Sequence, residues 1–430
     1  MTRPRLLIED WLPAAAIGVE CIRERSTGQQ PPDKRFHAMS GGGSIPLEAA
    51  RLGFRTLANE YNPPVRSWRR RSATLSDSAK SLAPGRAPRA RAWGARWLER
   101  IGPRLADFYP KHPTGLVHAY IFVRTVPCPD TQFATPLVPD WHLLRPKSCS
   151  AIVAEPIVDK AKGTWHIRVR ELGRGAGQLA VPSKASCSKG KGTSLFTGTQ
   201  IPGDYIKAKA QAGQMGSALY AVAVKTPRGL AFQPPDAADL NALAAAEREL
   251  ARPRPGWEKA NLIPTEQIPP GSKTIEPIVR GITAWADAFS PRQLLCLGVL
   301  TEELRKLRPE IVAAEGEELG KAVIHMLAFV LDKFANWNAI LSSWNPPAGT
   351  ARSVFDRHDF AFKATFCEMA PCGAGGGLEW AIDSSVGAYE ALCALPRHPQ
   401  AQAPEVSMGS ATNLPELADG SVTAVVVDPP

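Results

Sequence analysis

The sequence predicts an α/β protein. Its parallel-sheet core is incomplete, interrupted by a β-rich, ribbon-like insert and a helical region. Three observations predict it. Residues 40–60 read as a glycine loop, a helix and a short strand. Residues 425–430 read as a buried run, Val425-Val426-Val427, that empties into Asp428-Pro429-Pro430. Between these ends, residues 116–230 are rich in short β-like runs and residues 231–400 are mainly helical in pattern.

Residues 1–28 have a helical look. Residues 29–36 are polar and proline-rich, unlike a buried strand, so the first strand of the core reads as missing. Gly41, Gly42 and Gly43 then lead into a helix opened by Ser44, with Pro46 in its first turn and Gly53 at its end. Phe54 to Glu60 reads as a strand ending in a carboxylate. Glycine loop, helix, strand and terminal acid make half of a nucleotide-binding α/β unit. The glycines let a ligand approach the backbone, and the acid suits two vicinal ribose hydroxyls. The spacing is not Gly-x-Gly-x-x-Gly, which disfavours a dinucleotide dehydrogenase. The bland alternative is an ordinary glycine turn before a helix.

The expected organisation is a first core part at 1–63, a basic linker at 64–115, the β-rich insert at 116–230, the helical region at 231–400 and a return to the core at 401–430. In the linker, Arg66, Arg69, Arg70, Arg71, Arg86, Arg89, Arg91 and Arg96 are scattered without clear periodicity among Trp68, Trp93 and Trp97. Such a segment is either a solvated connection, a phosphate-contacting strip with stacking tryptophans, or the product of a frame shift. In the helical region, Ser290-Pro291-Arg292-Gln293 is a capping box, and Leu294, Leu297, Leu300 and Leu304 form a core stripe. A second helix is expected over about Lys321–Leu341, with Trp337 and Trp344 as packing anchors. Asp356, Arg357 and His358 read as a surface ion-pair cluster or a substrate contact, and Gly373 to Gly377 as a flexible connection.

A net charge of +10 favours a polyanionic partner. No apolar run is long enough to span a membrane. Glu9 and Asp10 interrupt any signal-peptide core. Eight cysteines without a paired pattern point to a reducing, cytoplasmic setting.

Several segments together resemble one family. GGGSIPLEAARLG at 41–53, ANEYNP at 58–63 and GSATNLPELADGSVTAVVVDPP at 409–430 are similar to adenine-specific DNA methylases with a zinc-ribbon-like insertion. Those proteins carry a conserved N-terminal domain of uncharacterised function, and some belong to phage-defence clusters. Residues 6–13, 125–129, 203–207 and 355–361 carry the resemblance further. It implies a Rossmann-like methyltransferase core and S-adenosylmethionine as cofactor. DNA is the implied partner, with subunits of a defence or restriction–modification system beside it. Gly41, Gly42, Gly43 and Ser44 would then form the cofactor loop, Glu60 would hold the ribose, and Ser410 and Ala411 would lie near the adenine ring. Asp428, Pro429 and Pro430 would hold the target amine. The family's Asp-Pro-x-Ala is replaced by His37-Ala38-Met39-Ser40, and its aromatic residue after Asp-Pro-Pro falls beyond Pro430. The resemblance therefore implies a truncated member, inactive in methylation by itself. The family often has two Cys-x-x-Cys pairs that bind zinc. Here Cys128 is followed three residues on by Thr131 and Cys187 by Gly190, so no metal is expected. Two other readings stay open: a DNA-binding remnant without catalysis, and a methyltransferase for RNA or protein amines.

Overall fold

The computed structural model describes residues 34–37, 44–60, 85–145, 150–173, 184–356, 359–372, 377–396, 398–402, 404–411, 413–414 and 417–426. The fold is mixed α/β. It begins β1 (Lys34–His37), α1 (Ser44–Arg51), β2 (Arg55–Glu60) and α2 (Arg86–Leu105). There follow β3 (Leu116–Pro127), β4 (Ala134–Pro136), β5 (His142–Leu144), β6 (Ala151–Asp159), β7 (Thr164–Leu172), β8 (Cys187–Ser188), β9 (Lys191–Thr193) and β10 (Gln200–Ile201). Then come α3 (Gly203–Gln211), β11 (Gly216–Thr226), β12 (Gly229–Gln233), α4 (Ala237–Leu250), α5 (Arg254–Lys259), α6 (Ile275–Ile278), α7 (Pro291–Glu315) and α8 (Glu317–Trp337). The last elements are β13 (Ser343–Asn345), β14 (Thr350–Arg352), β15 (Thr365–Glu368), α9 (Gly377–Cys393), β16 (Glu405–Met408) and β17 (Ala424–Val426). Two compact units result, one from residues 1–86 and 389–430, the other from 87–388.

The first unit is organised by a four-stranded sheet in the order β16-β2-β1-β17. Every pairing in it is parallel. β1 corrects the sequence reading, which has no strand here. Lys34–His37 pairs on one side with Arg55–Ala58 and on the other with Ala424–Val426. Backbone hydrogen bonding from two neighbours forms this strand; residue pattern does not announce it. The predicted helix spans residues 1–28 and lies outside the described residues. α1 begins at Ser44 and ends as expected at Gly53, whose φ of 94° favours glycine. The N–H groups of Leu52, Gly53 and Phe54 satisfy the carbonyls of Glu48, Ala50 and Ala49.

In the second unit the main sheet runs β12-β11-β3-β15, with β4 also on β3, and its pairings are antiparallel. Residues 119–123 and 219–224 are buried without alternation because both faces of the sheet are covered. One face packs Ile121, Val123 and Ala221 with Trp141 and Trp344. The other packs Tyr120, Phe122 and Val222 with Ile340 and Phe366, and the Phe122 and Phe366 rings stack at 4.9 Å. β15 comes from the stretch read as helical, so this sheet crosses the expected boundary at residue 230.

α7 has the predicted capping box. Gln293 N–H donates to Ser290 Oγ (3.2 Å), and Ser290 N–H donates to Gln293 Oε1 (2.9 Å). Its four stripe leucines are buried. α8 starts at Glu317, earlier than expected, because Gly316 at φ 80° separates two helices that the sequence spaces more widely. At the centre, Arg292 and Glu368 form an ion pair with both side chains 1% exposed and Nε 2.9 Å from Oε1. Tyr109 donates to the same carboxylate at 2.6 Å, and Arg292 donates to the Phe108 carbonyl at 3.1 Å. Among the described residues no helix is long and apolar enough to cross a membrane.

The basic linker is the second correction. Residues 86–105 of it form the 20-residue helix α2. Ala90, Trp93, Trp97, Ile101 and Leu105 recur at helical spacing and are buried. Trp97 donates to the Leu300 carbonyl (3.1 Å) and Trp93 to Glu315 (2.9 Å). Arg100 grips Glu310 with both terminal nitrogens at 2.8 and 2.7 Å, and Arg104 lies 2.7 and 2.6 Å from Glu302 and Glu303. Arg89 pairs with Glu315 and Arg91 with Asp383. Arg89, Arg91, Arg100 and Arg104 thus face carboxylates within the protein, and Trp93 and Trp97 are core residues rather than exposed stacking surfaces. Arg66 to Arg71 and Trp68 lie outside the described residues.

Candidate functional site

The parallel sheet sets the direction of four chain segments. β1, β2, β16 and β17 point the same way, so their C-terminal ends lie along one edge. His37, the last residue of β1, is paired with Val426, the last of β17, and with Ala58 of β2. Glu60, the last residue of β2, is paired with Met408, the last of β16. Each predicted segment follows one of these ends. Ser410 comes two residues after β16, and Ser44 opens α1 after the stretch that follows β1. Gly41, Gly42, Gly43, Asp428, Pro429 and Pro430 lie outside the described residues.

Two features shape this edge. The first is Asn59, fully buried beside Glu60. Its Nδ2 donates to the Gly409 carbonyl at 2.9 Å, and its Oδ1 accepts from Ser407 Oγ at 3.0 Å. β2 thereby holds the turn that carries Ser410. The sequence reading passes over Asn59, although a buried amide one residue before a strand-end acid is a recognisable signal. The second is Leu57, against which Ala411, Leu414, Leu417 and Val422 pack. The segment joining β16 to β17 is thus folded onto the sheet by its own apolar residues. On the far side of α1, Arg51 is held by Glu48 (2.6 Å) and donates to the Pro396 carbonyl (2.6 Å), while His398 N–H donates to the Arg51 carbonyl (2.9 Å). These contacts fix the approach of the returning chain to β16.

Other candidates are distributed differently. Asp356 lies 3.3 Å from Arg352 in an exposed ion pair, while Arg357 and His358 are outside the described residues. Cys367 is a core residue of β15, with its thiol pushed up to about 12 by burial. A cavity of about 330 Å³ in the second unit is lined by Arg104, Asp107, Phe108, Glu249 and Trp257 among others. In that lining Arg104 is committed to Glu302 and Glu303.

The pairing of Cys128/Thr131 with Cys187/Gly190 is corrected. Cys128 hydrogen-bonds with Ser194 at 3.2 Å and lies 3.9 Å from Thr197 Oγ1, whereas Cys187 belongs to β8. The second turn is therefore Ser194–Thr197, which a search for cysteines passes over. Burial raises the Cys128 thiol, but hydrogen bonds from Ser194 and Thr131 and from the backbone at Thr131 and Asp130 outweigh it, bringing the thiol down to about 7.

No family model, curated protein or solved structure matches the chain.

Proposed function

We propose that the chain carries the cofactor-binding and amine-binding segments of an S-adenosylmethionine-dependent amino-methyltransferase of DNA, with adenine as the target base and a Rossmann-like core. One observation carries the reading. The four segments singled out for cofactor and target amine each stand in the sequence at or after the carboxyl end of one of four adjacent parallel strands. Taken in sequence order, the strands lie 3-2-1-4, the beginning of a doubly wound sheet. In such sheets ligands bind outside the carboxyl ends, where strand order reverses. Here that reversal falls between β1 and β17. The Gly41–Gly43 segment follows one and Asp428-Pro429-Pro430 follows the other. This is the relation a methyl donor and an acceptor amine require.

The residues fit the cofactor in kind. A glycine run before a helix admits backbone contact, and Glu60 supplies a carboxylate for ribose hydroxyls. The sulfonium brings its own leaving group. The protein's task is to position the amine nitrogen and to stabilise the charge it gains as it attacks the methyl carbon. Asp428 and a proline carbonyl after it would accept hydrogen bonds from that amine, as the family resemblance implies. The choice of DNA and adenine rests on the family resemblance.

Calorimetric titration of S-adenosylmethionine into the purified chain tests the reading. Micromolar binding, lost in Glu60→Ala, is expected. No heat of binding from a chain shown by circular dichroism to be folded refutes it. DNA retention that weakens with salt and ignores the cofactor would point to the remnant reading instead.

A further inference from the structure

Two turns of the second unit repeat one another bond for bond. In the first, Cys128 N–H donates to the Phe133 carbonyl (2.8 Å) and Gln132 N–H to the Cys128 carbonyl (2.8 Å). In the second, Ser194 N–H donates to the Thr199 carbonyl (2.9 Å) and Gly198 N–H to the Ser194 carbonyl (3.0 Å). Phe133 N–H meets Thr131 Oγ1 at 3.3 Å, and Thr199 N–H meets Thr197 Oγ1 at 3.3 Å. Gln132 and Gly198 share a positive φ, 61° and 78°. Backbone groups of Asp130 and Thr131 hydrogen-bond the Cys128 sulfur, as Phe196 and Thr197 N–H do Ser194 Oγ at 3.2 and 3.3 Å. The first and fourth residues of the turns, Cys128, Thr131, Ser194 and Thr197, are thus equivalent positions of two facing knuckles.

Paired turns with two residues between side-chain ligands are the frame of a structural zinc site, which takes four thiolates or imidazoles. The residues present do not fit zinc. One of the four is a thiol and three are alcohols, which keep their protons at neutral pH and act as hydrogen-bond donors. Among the described residues no three His, Cys, Asp or Glu side chains come together to hold a metal. The alcohols bond to their surroundings. Cys128 Sγ lies 3.2 Å from Ser194 Oγ, and Thr197 Oγ1 donates to Asp130 Oδ2 at 3.1 Å, where Thr199 Oγ1 also donates. Phe133 and Phe196 close the contact edge to face at 5.3 Å.

We infer that these turns are a metal knuckle in which hydrogen bonds among one thiol, three hydroxyls and Asp130 stand where a zinc ion would, so that the ribbon folds without metal. The inference rests on the geometry of the turns and is independent of the proposed methyltransferase activity.

The experiment has two arms. The native chain, purified without added metal, is analysed for zinc and melted with and without a strong chelator. Negligible zinc and an unchanged melting midpoint are expected. One equivalent of zinc, or a midpoint lowered by the chelator, overturns the inference. In the second arm Thr131→Cys, Ser194→Cys and Thr197→Cys are combined and titrated with cobalt. One equivalent with tetrahedral thiolate absorption is expected, bound on the order of a hundredfold or more tighter than by the native chain. The double variant Ser194→Cys/Thr197→Cys, with three thiolates and without the change at Thr131, should bind at an intermediate strength. If both variants fold and neither binds cobalt, the turns are not a knuckle frame and the inference fails.

Discussion

Replacing Asn59 by Ala should loosen the turn that carries Ser410 before it disturbs anything else. Asn59 is buried, and its hydrogen bonds include one of 2.9 Å to the Gly409 carbonyl and one of 3.0 Å from Ser407 Oγ. At a net worth of about 1 kcal/mol each, their loss costs about 2 kcal/mol. The Gly409 carbonyl, left without its donor, raises this to about 3 kcal/mol. That corresponds to a roughly 30- to 150-fold change in the local opening equilibrium, at about 1.4 kcal/mol per factor of ten. The assay is amide hydrogen exchange over residues 405–411, read against residues 294–307 of α7 as an internal reference. Exchange in the first segment should speed up by that factor while α7 stays unchanged. Asn59→Asp keeps the acceptor for Ser407 but sets a buried carboxylate against the Gly409 carbonyl, so at neutral pH it should speed exchange at least as much as Asn59→Ala. Native protection of residues 405–411 in Asn59→Ala would refute the reasoning, and with it the role assigned to the β2–β16 contact.

Trp97→Ala should destabilise the second unit by about 3–5 kcal/mol, since a fully buried indole and its bond to Leu300 are both lost; urea denaturation measures this. Glu368→Ala should cost about 3–5 kcal/mol because Arg292 is left charged and buried. The double change Arg292→Met/Glu368→Leu should recover much of that loss, and a double variant no more stable than Glu368→Ala would refute this account. The Cys128 thiol lies near 7 in the fold, below its usual value near 9. Folding therefore favours the thiolate, and this contribution is present above pH 9 and lost as pH falls through 7. Native stability should gain over Cys128→Ser between pH 7 and 9, a difference that denaturation at the two pH values detects.

In the first unit α1 and β2 were legible because their signals are local. Ser44, Pro46, Gly53 and a strand ending in Glu60 each carry their own backbone chemistry. β1 was not, because Lys34-Arg35-Phe36-His37, with one apolar residue in four, becomes a strand only where β2 and β17 flank it. α2 was hidden for a different reason. Its arginines dominate the composition, whereas the informative residues are the five at Ala90, Trp93, Trp97, Ile101 and Leu105. The arginines' carboxylate partners lie some 200 residues or more away, as Glu310 does from Arg100 and Asp383 from Arg91, and no local pattern points to them. The second knuckle escaped because its positions hold hydroxyls, and only backbone geometry identifies them. Asn59 escaped because its partner Gly409 is 350 residues distant.

That last separation governs how the protein must be made. β1 and β2 leave the ribosome first, yet β16 and β17 follow some 350 residues later. At about 5–20 residues per second, the early pair waits on the order of 20–70 s for its neighbours. During that time two short parallel strands offer both edges to any other chain. Residues 87–388, which form a compact unit of their own, can fold meanwhile. Their collapse shortens the effective loop between the two halves of the sheet. The nascent protein is thus most exposed to misassembly at β1 and β2, and chaperone dependence should concentrate there.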